Sequence, residues 1–221
     1  MEIKPYLLNY IKNAGKGGGL QPTGTINITE NGTVDVTNYA SANVNVSSDI
    51  AIFDCRNLFA NDRRIDELDK ILPLCKPIKT DYMFTNCSFS QIDTTKLDFS
   101  NCTTCQNMFQ GCSNLTSIGN LSSSLLTDRD CVYRMFANCS NLVDVGIMSF
   151  PNIPRFQNVF LSCPSLSNSS LNNILYMCKD FNFSSGYKTL RDIGLSQTQA
   201  QTCTTLSNWQ ACVNAGWTTG Y

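Results

Sequence analysis

The chain has no histidine among its 221 residues. That absence removes the commonest general base, the commonest metal ligand and every Ser-His or Cys-His arrangement at once. Charge is scarce too. Only 15% of residues are Asp, Glu, Lys or Arg, with 16 basic against 17 acidic side chains and a formal net charge of -1. Such a balance gives no electrostatic footprint for nucleic acid or an anionic membrane. No window approaches the ~18 continuous apolar residues that span a bilayer. Met1-Glu2-Ile3-Lys4-Pro5 leads into a glycine run rather than a signal-peptide cleavage pattern. We therefore expect no nucleic acid partner, no membrane insertion and no ordinary secretion address.

Apolar content is 42%, enough for a real core, and cysteine is abundant at 12 residues. The informative feature is repetition. Phe59, Phe84, Phe109, Phe136 and Phe160 lie 25, 25, 27 and 24 residues apart. Each follows an apolar residue: Leu58, Met83, Met108, Met135 and Val159. Two positions after each stands Asn61, Asn86, Gly111, Asn138 or Ser162. Asn and Gly most readily accept positive φ, which predicts a short helical turn closed by a left-handed cap. An aliphatic follows six residues past the aromatic at Ile65, Leu115, Leu142 and Leu166, with Phe89 one place early. Leu190 continues the series 24 residues after Leu166, and "LTSIGNL" and "LRDIGL" read as the same short strand. The expected fold is an α/β repeat solenoid, leucine-rich-repeat-like coils of short strand plus helical turn, each burying a Phe, a Met and a Leu against its neighbours.

Cys87, Cys112, Cys139 and Cys163 each stand three residues after the aromatic. They could form a disulfide or metal ladder, or fill a tight corner as small hydrophobes; repetition in register favours packing. Cys102-Thr-Thr-Cys105 lacks the second pair or the histidine that would complete a zinc site, and no redox-type βαβ context surrounds it. We expect no metal and no cofactor. The repeat core is then Phe59, Phe84, Phe109, Phe136, Phe160, Cys87, Cys112, Cys139, Cys163, Leu115, Leu142, Leu166 and Leu190.

The wording "NMFQGCSNLTSI" and "RMFANCSNLVDV" resembles the BspA-like leucine-rich repeats of bacterial surface proteins, whose units read Met-Phe-x-Gly-Cys-x-x-Leu-x-x-Leu. The resemblance covers roughly residues 52–195, with the first and fifth units degraded. It implies a right-handed solenoid and adhesion to proteins or surfaces. It carries over no binding residue, because the shared motif is the core.

The ends read differently. Residues 1–19 give a short helix after Pro5, with Tyr6, Leu7, Tyr10 and Ile11 on one face as an assembly anchor, then the glycine-rich linker "KNAGKGGG". Residues 20–48 alternate with period two at Ile26/Ile28, Val34/Val36 and Val44/Val46, around a turn at Glu30-Asn31-Gly32, predicting a small β module. Its text, "INITENGTVDVTNYASANVNV", resembles a segment of tail-associated and other virion proteins of phages and prophages. Residues 49–195 form the repeat region. It is interrupted by a helix over Leu171 to Cys178 with Ser170 as N-cap. Residues 196–221 form a helical cap, opened by a Ser196-x-x-Gln199 capping box and running to about Asn214, with Trp209 and Trp217 sealing the end.

Catalysis has little to stand on. Asp62/Asp66/Glu67/Asp69 and Asp128/Asp130 are acidic clusters without a partner base or a phosphate-binding loop, and a glycosidase pair would have to assemble in space. The triplets at Asn86, Asn101, Asn114 and Asn138 match N-glycosylation acceptors only through the wording of the repeat. The sequence supports a non-enzymatic, virion-associated protein. It would hold other virion proteins through its N-terminal region and present a surface to a bacterial surface protein or glycan. The alternatives are a cellular adhesin or interaction module at the bacterial surface, and a decoration protein of capsid or tail with no receptor role; a homo-oligomer fits each. The expected binding face is Thr116, Ser117, Val143, Asp144, Arg191 and Asp192, with Tyr133, Arg134 and Arg155 beside it.

Overall fold

The computed structural model describes residues 25–28, 34–37, 52–57, 59–61, 72, 75–181 and 187–221. The expected anchor (Tyr6, Leu7, Tyr10, Ile11), the Glu30-Asn31-Gly32 turn, the Val44/Val46 strand, Leu58, Ile65 and the Asp62/Asp66/Glu67/Asp69 cluster lie outside them.

Nine short strands and three helices are described. β1 (Thr25–Ile28) and β2 (Val34–Thr37) pair antiparallel, Ile26 opposite Val36. Two valines and two isoleucines at alternate positions suit such a pair. β3 (Ile52–Asp54) and β4 (Cys75–Lys79) are parallel, with a register shift between Ile52 and Asp54. β5 (Gln91–Ile92), β6 (Ser117–Ile118) and β8 (Asp144–Val145) form a three-stranded parallel sheet in the order β5-β6-β8. β7 (Leu121–Ser122) and β9 (Met148–Ser149) form a parallel pair. The helices are α1 (Asn168–Cys178), α2 (Gln197–Cys203) and α3 (Trp209–Asn214).

This arrangement overturns the expected leucine-rich-repeat-like solenoid. Among the described residues the strands fall into four separate small sheets rather than one continuous sheet, and all three helices come after residue 167. The physical reason lies in the units themselves. A strand of only two residues, such as Ser117–Ile118, offers too few ladder bonds to carry a long sheet. The protein is a small α/β fold of short, mainly parallel strands with three helices.

What the period does produce is a set of stacked turns. The amide of Phe59 donates to the Met83 carbonyl (2.9 Å), Phe84 to Met108 (2.8 Å), Phe109 to Met135 (2.8 Å), Phe136 to Val159 (3.0 Å) and Phe160 to Ile193 (3.0 Å). Neighbouring turns are thereby held at matching positions, and the five rings lie face to face. Centroids are 5.2–5.6 Å apart with interplanar angles of 10° or less. Phe89, the aromatic in the second unit's aliphatic slot, meets Phe84 edge-on at 5.6 Å. Offset and edge contacts of this kind stabilise beyond area burial. Leu115, Leu142, Leu166 and Leu190 are buried in the same core, which runs on to Trp217.

The C-terminal region departs from the expected details. α1 starts at Asn168 with Ser167 as N-cap, not Ser170. Ser170 is buried instead and accepts from the Val145 amide (2.8 Å) while donating to the Val143 carbonyl (2.8 Å). The expected long final helix is two helices, α2 and α3, broken around Thr204–Asn208. The Ser196–Gln199 capping box opens α2. "LRDIGL" is a turn rather than a strand. Gly194 sits at φ +94, and a Cβ there would lie 2.5 Å from the Leu161 amide nitrogen, so this stretch packs where the sixth turn belongs. On its far side the Leu190 and Arg191 amides donate to the Thr218 and Thr219 carbonyls.

Candidate functional site

Two backbone positions in every turn set the geometry of the surface. Two residues after each phenylalanine, Asn61, Asn86, Gly111, Asn138 and Ser162 all take positive φ, between 57° and 74°. Two residues before it, Asn57, Tyr82, Asn107, Arg134 and Asn158 do so as well, between 53° and 58°. The second row is missed by the sequence reading. Asn57, Asn107 and Asn158 were a visible signal for it once the units were aligned, but Tyr82 and Arg134 obscure the rule. Left-handed backbone costs a residue with a Cβ roughly 1–2 kcal/mol.

Behind these rows the cysteines explain their own register. The thiol of Cys87 donates to the Phe59 carbonyl (3.0 Å), Cys112 to Phe84 (2.9 Å), Cys139 to Phe109 (3.1 Å) and Cys163 to Phe136 (3.0 Å). Each corner therefore uses a small, buried, weakly donating side chain to tie its carbonyl to the next turn. All twelve cysteines are buried. Burial pushes the Cys112 and Cys163 thiols up to about 12, and drives Cys139 higher still. Such thiols are inert nucleophiles. Cys102 differs. Its hydrogen bond with Cys105 holds it below the ordinary thiol value, and the same bond together with burial pushes Cys105 up. Among the described residues no group of three or more His, Cys, Asp or Glu is placed to hold a metal ion.

The expected binding face divides in two. Thr116, Ser117, Val143 and Asp144 are brought together: Ser117 pairs with Asp144, and the Val143 and Asp144 amides both donate to the Thr116 carbonyl. Val143 is exposed, and Asp144 accepts from the Ser167 hydroxyl at 3.3 Å. Arg191 and Asp192 lie elsewhere, in the last turn. There the Asp192 carbonyl receives the Asn158 amide, and the Arg191 guanidinium lies 5.7 Å from the centre of the Tyr221 ring. The reason is that "LRDIGL" is a turn, which packs Gly194 against Phe160 and Leu161 rather than continuing β6 and β8.

The residues named beside that face are more informative. Arg155 pairs with Asp130, donates to the Arg129 carbonyl (3.2 Å) and lies over the Tyr187 ring (5.6 Å). It is locked in a surface network, and with it the Asp128/Asp130 cluster loses one carboxylate to an ion pair. Arg134 lies over the adjacent Tyr133 ring, 5.1 Å from its centre. Its Nε is buried and has no hydrogen-bond acceptor, and among the described residues the side chain has no carboxylate partner.

No helix among the described residues is long and apolar enough to cross a membrane. Compared with protein-family models, with curated proteins and with solved structures, the chain matches none.

Proposed function

We propose that this is a non-enzymatic, virion-associated protein, held to other virion proteins through its N-terminal region and presenting its turn-and-strand surface to the bacterial envelope. The observation that carries the binding half is the division of labour within each unit. Side chains with reactive potential, the in-register thiols above all, are spent on internal bonds to backbone carbonyls. What remains outside, Tyr82 and Val143 among it, stands on backbone positions fixed by turn-to-turn hydrogen bonds. Rigid display of polar groups is what recognition requires and what acid–base chemistry does not. The lack of histidine points the same way. The virion half rests on the resemblance of residues 26–46, which include part of β1 and β2, to phage tail-associated segments.

The test is mass spectrometry and immunogold microscopy on particles purified from an induced culture of the source strain. A fixed copy number per particle is expected, with gold at the tail tip. Protein found only on intact cells would sink the virion reading and leave the adhesin; gold confined to the head would leave a decoration role without receptor contact.

A further inference from the structure

We infer that Tyr82, Tyr133 and Arg134 form a binding site for an anionic glycan, the sugar ring lying on the exposed Tyr82 and its carboxylate or phosphodiester held by the Arg134 guanidinium. The inference deepens the proposed envelope-binding role and rests on it for biological meaning, though the chemistry stands on the residues alone.

The first observation is the pair of exceptions in the row two residues before each phenylalanine. Five residues there take left-handed backbone, three of them asparagine, which accepts it at least expense. Tyr82 (φ 58) and Arg134 (φ 54) accept the same conformation with a ring and a long cationic chain. Backbone strain of this kind persists where the side chain serves something else. The second observation is what those side chains do. Tyr82 leaves 40% of its surface exposed, so its ring is within reach of a ligand. Arg134 is half-buried, yet its Nε finds no acceptor. That Nε is closed to solvent and is not the atom a surface ligand meets; what bears on a site is that the Arg134 charge has no carboxylate partner among the described residues.

The geometry brings the two into one site. The Tyr82 amide donates to the Gln106 carbonyl, the Asn107 amide to Tyr133 and the Arg134 amide to Gln157, so Tyr82, Asn107 and Arg134 occupy the same position in three consecutive turns. Asn107, in the middle, is buried. Two turn spacings put Tyr82 and Arg134 roughly 10 Å apart, about the length of a disaccharide. Asp81, next to Tyr82, has its Oδ1 engaged by the Thr104 hydroxyl (2.5 Å) and the Gln106 amide (3.0 Å), and no ion pair joins it to Arg134 among the described residues. The Tyr133 ring lies against the guanidinium, 5.1 Å from ring centre to Cζ. A planar fork of donors backed in this way suits a carboxylate or phosphate oxygen pair. A tyrosine face with a polar tip suits a sugar ring.

The test uses the full chain against three immobilised polymers: polygalacturonate (carboxylate), glycerol-phosphate teichoic acid (phosphodiester) and dextran (neutral), read by biolayer interferometry at low ionic strength. Binding to one acidic polymer is expected with Kd below about 1 mM, and which one identifies the source of the charge. R134N and Y82N should each weaken it at least tenfold while melting no lower than the parent chain, because asparagine suits the left-handed backbone. No binding to either acidic polymer, equal binding by R134N, or equal binding to dextran would overturn the site. A protein found on particles that ignores both acidic polymers retains its virion role and loses only this inference. A glycan binder absent from particles retains the site and loses the virion role.

Discussion

The stacked turns from Phe84 to Phe160 and the helical region after Ser167 meet the same physical demands with different means. In the turns one solution recurs: a stacked ring, a methionine or valine before it, and a thiol bonded back to the preceding phenylalanine carbonyl. In the C-terminal region each demand is met once. Cys212 Sγ donates to the Leu175 carbonyl (3.0 Å), the same bond made from a helix. Gln199 Nε2 donates to the Cys163 carbonyl (2.8 Å), and Trp217 is buried at the end of the core. Repetition is thus a property of the interior of the stack. From Asn168 the chain continues mainly as helices rather than turns, so each group left over there needs its own partner.

The largest expected break in that comparison is Phe109→Ala. Phe109 stacks on Phe84 and Phe136 and is fully buried, so truncation removes contacts on both faces and should cost about 3–5 kcal/mol. Urea denaturation followed by circular dichroism would measure it. Phe59, with one such neighbour among the described residues, should lose less on the same change. Equal losses at the two positions would mean that stacking is not the unit of stability.

The second test reads the buried thiols by pH in the turns, although burial raises Cys203 and Cys212 of the helical region to about 12 as well. The Cys112 and Cys163 thiols stand at about 12 in the fold against an ordinary value of 9.0, raised chiefly by burial. Between those values the unfolded chain has lost protons that the folded chain keeps, so stability is full below about pH 9 and falls as pH rises towards 12. At pH 10 each thiol should have withdrawn on the order of 1 kcal/mol, and the pair about 2–3 kcal/mol. Denaturation at pH 8 and pH 10 would show the loss. A Cys112→Ala/Cys163→Ala variant, weaker at pH 8, should show a shallower pH dependence, and an unchanged slope would rule these thiols out as its cause.

Much of this interior was legible in the sequence, for a physical reason. A period of 24–27 residues in Phe, Asn/Gly and Cys fixes which side chains share a row, and the row positions are where they are found: five stacked rings, four buried thiols in register, and left-handed backbone at Asn61, Asn86, Gly111 and Asn138. The architecture built from those rows was not legible. Leu115 and Ile118 mark a strand equally well whether it is two residues long or six, so the expected continuous solenoid followed from the pattern but not from the hydrogen bonds. Arg191 and Asp192 were misplaced because "LRDIGL" shares the Leu-x-x-Ile-Gly wording of "LTSIGNL" while Gly194 lets the chain turn. The left-handed row holding Tyr82 and Arg134 was hidden because neither residue type advertises that conformation.

The smallest expected effect tests how the end is finished, through two serines three residues apart. Sequence spacing made Ser170 the N-cap of α1, whereas Ser167 accepts the Ser170 amide (3.2 Å) and Ser170 reaches across to β8. Ser167→Ala removes a helix cap at a half-buried position and should cost about 1 kcal/mol. Ser170→Ala leaves the Val145 amide without its acceptor and the Val143 carbonyl without one of its donors, at a buried site water cannot easily reach, and should cost about 2 kcal/mol. Thermal melts of the two variants would rank them. Ser170 should rank above Ser167, because the strand row stops at β8 and α1 supplies the groups that a further strand would have supplied, including Asn173 Nδ2 to the Val145 carbonyl (2.9 Å). The reverse order would mean that α1 stabilises itself first and covers the β8 edge only incidentally.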